Sequence, residues 1–215
     1  MSIVIELQKE ALSKDVDILR LLRKAYLVAR KLRLKDFEEW VNHELNGYGV
    51  NDKLPDYRIY TGVVKAWNPY NGWISVQFSS PNRLSVHEAR EPIASLLDVY
   101  QNTTDHIATV PFNDAINAEL SKQSPYPTRY CLQIATNLLY STFDRLRNTI
   151  LDWALTLEEN GIVGDEISFS LEEIQTAANT PVINNYTNNF YGGAGDTQIQ
   201  QGERGVFEKK LGSGK

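Results

Sequence analysis

Three histidines, a single cysteine and a scatter of carboxylates are the residues of this chain that could carry chemistry. Glu39 and His43 stand four apart, and His43 and His87 are each followed by a glutamate. A zinc-protease helix of the HExxH type needs a second histidine four positions on, because that spacing puts two imidazoles on one helix face. Those positions hold Gly47 and Glu91, so the zinc pattern is broken, and His106 completes neither. Asp144, Asn148 and Asp152 recur every fourth residue, and two such carboxylates can hold Mg²⁺ beside a phosphate. Arg145 and Arg147 lie among them, as on an ordinary solvated helix face. Cys131 sits in an apolar stretch and reads as a small core residue. A lone cysteine excludes a disulfide framework and a cysteine-rich metal site. No phosphate-cradling GxxxxGK[ST], GxGxxG or nucleophile-elbow GxSxG occurs. The chain is expected to use no metal and no cofactor, and no catalytic residue is assigned.

Charge is distributed unevenly. The 215 residues carry a net −5, yet Lys14 to Lys35 holds eight cations against Asp15 and Asp17. Arg20, Arg23, Lys24, Arg30 and Lys31 would line one basic helical face able to meet phosphates. The plainer expectation is that these cations solvate an amphipathic helix and pair with Asp36, Glu38, Glu39 and Glu44. An acidic chain lacks the usual footprint of a nucleic-acid binder, so nucleic acid ranks below other partners.

The most distinctive physics lies near the end. Ile174 to Gly195 contains no Lys, Arg, Asp or Glu, and the stretch from Val182 to Gly202 is rich in Asn, Gln and Gly. Asn and Gly are poor strand formers in a lone chain. Amide side chains can nevertheless stack in ladders between identical chains, and the missing charge removes repulsion. Val182, Tyr186 and Phe190 would share one face of an extended strand with Asn184 and Asn188 between them. Ile183, Tyr191, Gln198, Ile199 and Gln200 complete the expected self-association strip. The chain itself is therefore the first expected partner, as a homo-oligomer.

Helices and strands must position these groups. Ser13 is the expected N-cap of a helix carrying Ile18, Leu21, Leu22, Ala25, Ala29 and Leu32 in one stripe. A second helix carries Phe37, Trp40, Val41, Leu45 and Tyr48, closing at Gly47 and Gly49. Ile3–Leu12 suits a lead helix, although IVIEL also suits a strand. Tyr57–Trp67 and Trp73–Ser79 flank Pro69-Tyr70-Asn71-Gly72, whose Asn-Gly is an antiparallel hairpin signal because both residues tolerate positive φ. Pro92–Tyr100 and Asn113–Lys122 predict short helices. A long helix follows from Leu139 to Leu157, ended by Asn160-Gly161, and Ser170 with Glu173 marks a capping box. The expected class is α+β: a mostly helical domain with an N-terminal helix pair, a central antiparallel β-hairpin and a long C-terminal helix, followed by a β-type oligomerisation segment. Residues 1–178 form the domain, 179–207 the self-association segment and 208–215 a flexible end. No apolar run approaches the roughly 20 residues of a membrane span, and the first residues lack a signal-peptide pattern. A cytoplasmic protein without membrane contact is expected.

The blocks Leu21–Tyr48, Leu151–Ile162 and Gln198–Gly202 resemble the AbiTii-type domain of bacterial abortive-infection proteins, most specifically at Glu44-Leu45-Asn46-Gly47-Tyr48. The resemblance implies a role in defence against bacteriophage and carries no active-site motif with it. The expected function is a homo-oligomerising sensor or scaffold module without its own catalysis, meeting a phage component or an effector protein. The alternatives are a nuclease or nucleic-acid-binding effector using the basic helix 14–35, and a module that binds a small signal molecule.

Overall fold

Apolar residues three and four positions apart build the first layer. A computed structural model describes residues 2–13, 15–76, 83–122, 124, 127–180 and 183. Helix α1 spans Ile3–Leu12 and buries Ile3, Val4, Leu7 and Ala11, a helical rhythm that settles IVIEL as helix. Helix α2 spans Ile18–Leu32 and buries Ile18, Leu21, Leu22, Ala25, Val28, Ala29 and Leu32. Its cap is Asp17, whose Oδ1 accepts from the Leu19 and Arg20 amides at 3.0 and 3.1 Å. Ser13, the expected cap, lies four residues before Asp17 and instead closes α1, donating its amide to Glu10 O. Arg33 in the left-handed conformation (φ 60°) turns the chain sharply into α3, Lys35–Asn46.

The β content exceeds the expected hairpin. Strands β1 (Ile59–Thr61) and β4 (Val86–Glu88) form one antiparallel pair, with β2 (Val63–Asn68), β3 (Gly72–Ser75), β5 (Ile107–Pro111) and β6 (Tyr130–Ala135) in a second sheet. The second sheet has the order β3-β2-β6-β5, antiparallel throughout. At the hairpin, Asn68 pairs with Gly72 across a three-residue connection. Asn68 Oδ1 accepts from the amides of Tyr70 (2.9 Å) and Asn71 (3.0 Å). Only Gly72 takes positive φ (68°), so the turn is not the two-residue Asn-Gly type but a longer one closed by glycine. Strand β6 leaves no mark in the sequence pattern, because Tyr-Cys-Leu-Gln-Ile is buried almost continuously and runs without a breaker into α6. That burial pattern offers no period-2 signal.

Helices α4 (Ile93–Asn102) and α5 (Asp114–Ser121) fall where expected, the latter capped by Asn113. Helix α6 spans Thr136–Glu159 and lies along α1, while α2 packs on α3. Phe37 of α3 stacks on Trp153 of α6 with ring centres 3.8 Å apart and planes 11° off parallel. This contact joins the two helical layers at the centre of the core. Ile183 is buried in the same core, its amide donating to Thr180 O at 3.0 Å.

Helix α7 (Leu171–Asn179) opens on the predicted capping box. Glu173 does more than close that box: its carboxylate accepts from the amides of Val163 (3.0 Å), Gly164 (2.8 Å) and Ser170 (2.8 Å). Burial would raise its pKa, but these backbone donors outweigh burial and hold it below the ordinary glutamate value. A depressed pKa adds stability that is complete above the unfolded-state value and disappears as pH falls through the folded-state value. Glu173→Gln should therefore cost about 1–2 kcal/mol at neutral pH. The gap between wild type and variant in thermal melts should narrow once pH falls below about 5 and close as pH falls through the folded-state value. A gap independent of pH would show that charge at Glu173 does not fasten this connector.

Candidate functional site

Helix α3 sets its buried residues at Phe37, Trp40, Val41 and Glu44, and the last is a carboxylate in phase with an apolar stripe. Glu44 is wholly excluded from solvent and so is Arg58, which ends the 3₁₀ turn Asp56–Arg58. Their side chains meet through a fork: Nε and Nη2 of Arg58 donate to Glu44 Oε2 at 3.2 and 2.5 Å. The other oxygen, Oε1, accepts from the hydroxyls of Tyr48 (2.6 Å) and Tyr57 (2.9 Å). Tyr57 in turn accepts from the indole N–H of Trp40 at 2.7 Å. Nη1 of Arg58 donates to the carbonyls of Ala89 (3.3 Å) and Glu91 (2.7 Å), and the guanidinium lies 5.3 Å from the Tyr48 ring centre. Tyr60 and Thr142 extend the network, their hydroxyl oxygens 2.8 Å apart, with Thr142 donating to Tyr57 O.

The electrostatics follow from this packing. Burial opposes the Arg58 charge, but Glu44 outweighs it and keeps the guanidinium firmly protonated. Burial, then the neighbouring Glu44 charge, pushes the Tyr57 hydroxyl well above the ordinary tyrosine range. Burial also raises Tyr60, against the hydrogen bond to Thr142. A carboxylate offers about four acceptor positions, and Glu44 has four donors on it. Nothing is left over to take a substrate proton, so the cluster acts as a clamp binding α3 to the 3₁₀ turn and the β4–α4 connector. At its edge His87 Nε2 lies 3.3 Å from Glu91 Oε1, and that hydrogen bond, against burial, holds Glu91 low. An open cleft of about 630 Å³ beside His87 is lined by Arg83, Val86 and Glu88.

The basic face of α2 is taken up mainly by its own chain. Lys24 Nζ lies between Glu6 (3.0 Å) and Glu10 (2.7 Å), and Arg20 reaches Glu10 at 2.8 Å. Arg30 pairs with Glu38 at 3.2 Å, and Lys31 donates to Ile167 O at 2.5 Å. Arg23 is exposed and has no ion pair among the described residues. The partners come chiefly from α1, not from Asp36 or Glu39, and Glu44 serves Arg58 instead. Lys24 draws the Glu6 pKa down through a direct hydrogen bond.

The remaining candidates are dispersed. Asp144 Oδ2 accepts from Asn148 Nδ2 at 3.1 Å, while Asp152 is exposed. Cys131 is buried in β6, and burial pushes its thiol up against a weaker pull from Lys65. Among the described residues no group of three or more His, Cys, Asp or Glu is placed to hold a metal ion, and no helix is long and apolar enough to cross a membrane. Of the expected self-association strip, Ile183 lies in the core of its own chain. Val182, Asn184, Tyr186, Asn188, Phe190, Tyr191, Gln198, Ile199 and Gln200 lie outside the described residues.

The AbiTii family model matches residues 2–182, which covers both layers of the fold and the Glu44–Arg58 clamp. No curated protein and no solved structure matches the chain.

Proposed function

The chain belongs to the AbiTii family, which points to abortive-infection defence against phage, and we propose that it serves that defence as a homo-oligomerising sensor or scaffold module without catalysis of its own. One observation carries the reading. Ile183, an early residue of the uncharged, amide-rich stretch, is fully buried in the core. A self-associating segment attached so closely would hold the domains of neighbouring copies near one another. Short attachment raises effective concentration, so a phage component or an effector protein recognised weakly by each copy would be held strongly by the assembly. The filled hydrogen bonds of Glu44 also support a rigid presenting body.

Light scattering tests this directly. The full chain should run at a multiple of 24.4 kDa. A version ending after Asn184, which keeps Ile183 in the core, should run as one copy with an unchanged melting temperature. The same truncation should abolish protection of cells against phage. A full chain that stays single at high concentration, or a multimer that survives truncation, would end the proposal.

A further inference from the structure

The antiparallel register places a second, unexpected set of residues together on the outer face of the four-stranded sheet. Along β2, Val64 and Ala66 point inward while Val63, Lys65 and Trp67 alternate outward. Trp67 faces Trp73 of β3, the rings meeting edge to face at 5.4 Å. Lys65 faces Ser75 and Cys131, and its Nζ donates to Ser75 Oγ at 2.9 Å. Arg129 precedes β6, and its guanidinium lies 5.9 Å from the Trp67 ring centre. Gln133 and Thr109 continue the same face across β6 and β5. Trp67 is 37% exposed, whereas Trp40 and Trp153 are buried at 1% and 0%.

We propose that this face binds single-stranded nucleic acid. Two indoles, two cations and three hydrogen-bonding side chains (Ser75, Gln133 and Thr109) share one side of the sheet with Val63, Cys131 and Ile107, and no described residue paired across that face is a carboxylate. That composition departs from an acidic chain of net −5. An aromatic face accepts any unpaired base by stacking, while the cations answer the phosphates. Gln133 and Thr109 can meet Watson–Crick edges, which base pairing occupies in a duplex. A protein partner would favour an apolar centre with charge kept to the rim. Here Lys65 stands at the centre of the face and Arg129 against Trp67. Binding at this face requires neither self-association nor the α2 cations.

Titration of the full chain with a labelled oligo-dT and an oligo-rU of equal length tests it. The wild type has four tryptophans, and the two on this face should be quenched on binding while buried Trp40 and Trp153 are not. Trp67→Ser and Trp73→Ser should each weaken binding roughly 5- to 100-fold at constant melting temperature. With two phosphate contacts the slope of log K on log salt should be about −1.4, falling to about −0.7 in Arg129→Gln. Arg23→Ala on α2 should change nothing. A preference for oligo-rU over oligo-dT would assign RNA as the ligand, and the reverse would assign DNA. Equal binding of duplex, binding without tryptophan quenching, or loss of binding on Arg23→Ala but not on Trp67→Ser would each overturn the proposal.

Discussion

Arg58→Met should destabilise the domain by about 3–5 kcal/mol, because it removes one partner of a buried ion pair and leaves the other behind. Glu44 would keep the Tyr48 and Tyr57 hydroxyls but lose both donors to Oε2, in a site with no access to water. The carbonyls of Ala89 and Glu91 would lose their donor as well. At roughly 2–4 °C per kcal/mol for a domain of this size, melting should fall by about 6–20 °C. Adding Glu44→Gln to Arg58→Met should recover part of that loss. The amide oxygen introduced by Glu44→Gln can still accept from the two tyrosines, and the side chain buries no charge. Urea melts of the two singles and the double should therefore give a coupling of more than about 1 kcal/mol. Were Arg58→Met to lie within about 1 kcal/mol of wild type, the pair would be a passive feature of the core.

How far this clamp can be read from the chain depends on the residue. Glu44 follows Phe37, Trp40 and Val41 in the buried phase of α3, where an apolar side chain belongs. A carboxylate in that phase is itself a signal of a buried cation. Apolar character alone points to Leu45 as the facing residue, and Leu45 is only half-buried. No local spacing could supply Arg58, because the turn that carries it is brought to α3 by the chain reversal after Gly47. The helices α2, α3 and α6 are visible because each carries an unbroken stripe, and the α7 cap because Ser170 and Glu173 stand at the required distance. Trp67 and Trp73 are legible as strand residues. Their common face with Arg129 arises only from the pairing of β2 with β6, and β6 has no alternating pattern to read. The charge-free run before Gly195 is evident from composition, whereas the anchoring of its early residue Ile183 comes from packing.

Gly47→Ala should produce the second large effect, and its size comes from two separate costs. Gly47 ends α3 at φ 92° and ψ 170°, a region that residues with a Cβ scarcely enter. A Cβ there would also lie 2.7 Å from Arg90 O and 3.2 Å from Pro92 Cδ. Arg90 O cannot easily withdraw, since it accepts the Tyr48 amide at 2.8 Å. Its neighbours Ala89 and Glu91 supply the carbonyls that hold Arg58. The backbone conformation alone costs about 1–3 kcal/mol, and the overpacked contact adds a similar amount, so a loss of roughly 2–6 kcal/mol is expected in urea melts. Gly161→Ala provides the comparison: its φ is 75° but a Cβ would meet nothing within 4 Å. That change should cost only about 1–2 kcal/mol, the left-handed penalty by itself. Because relief of the Gly47 clash must move the segment that satisfies Arg58, Gly47→Ala and Arg58→Met together should cost less than the sum of the two. Strict additivity would mean that the helix end and the ion pair are held independently, and the β4–α4 connector would not be the part that joins them.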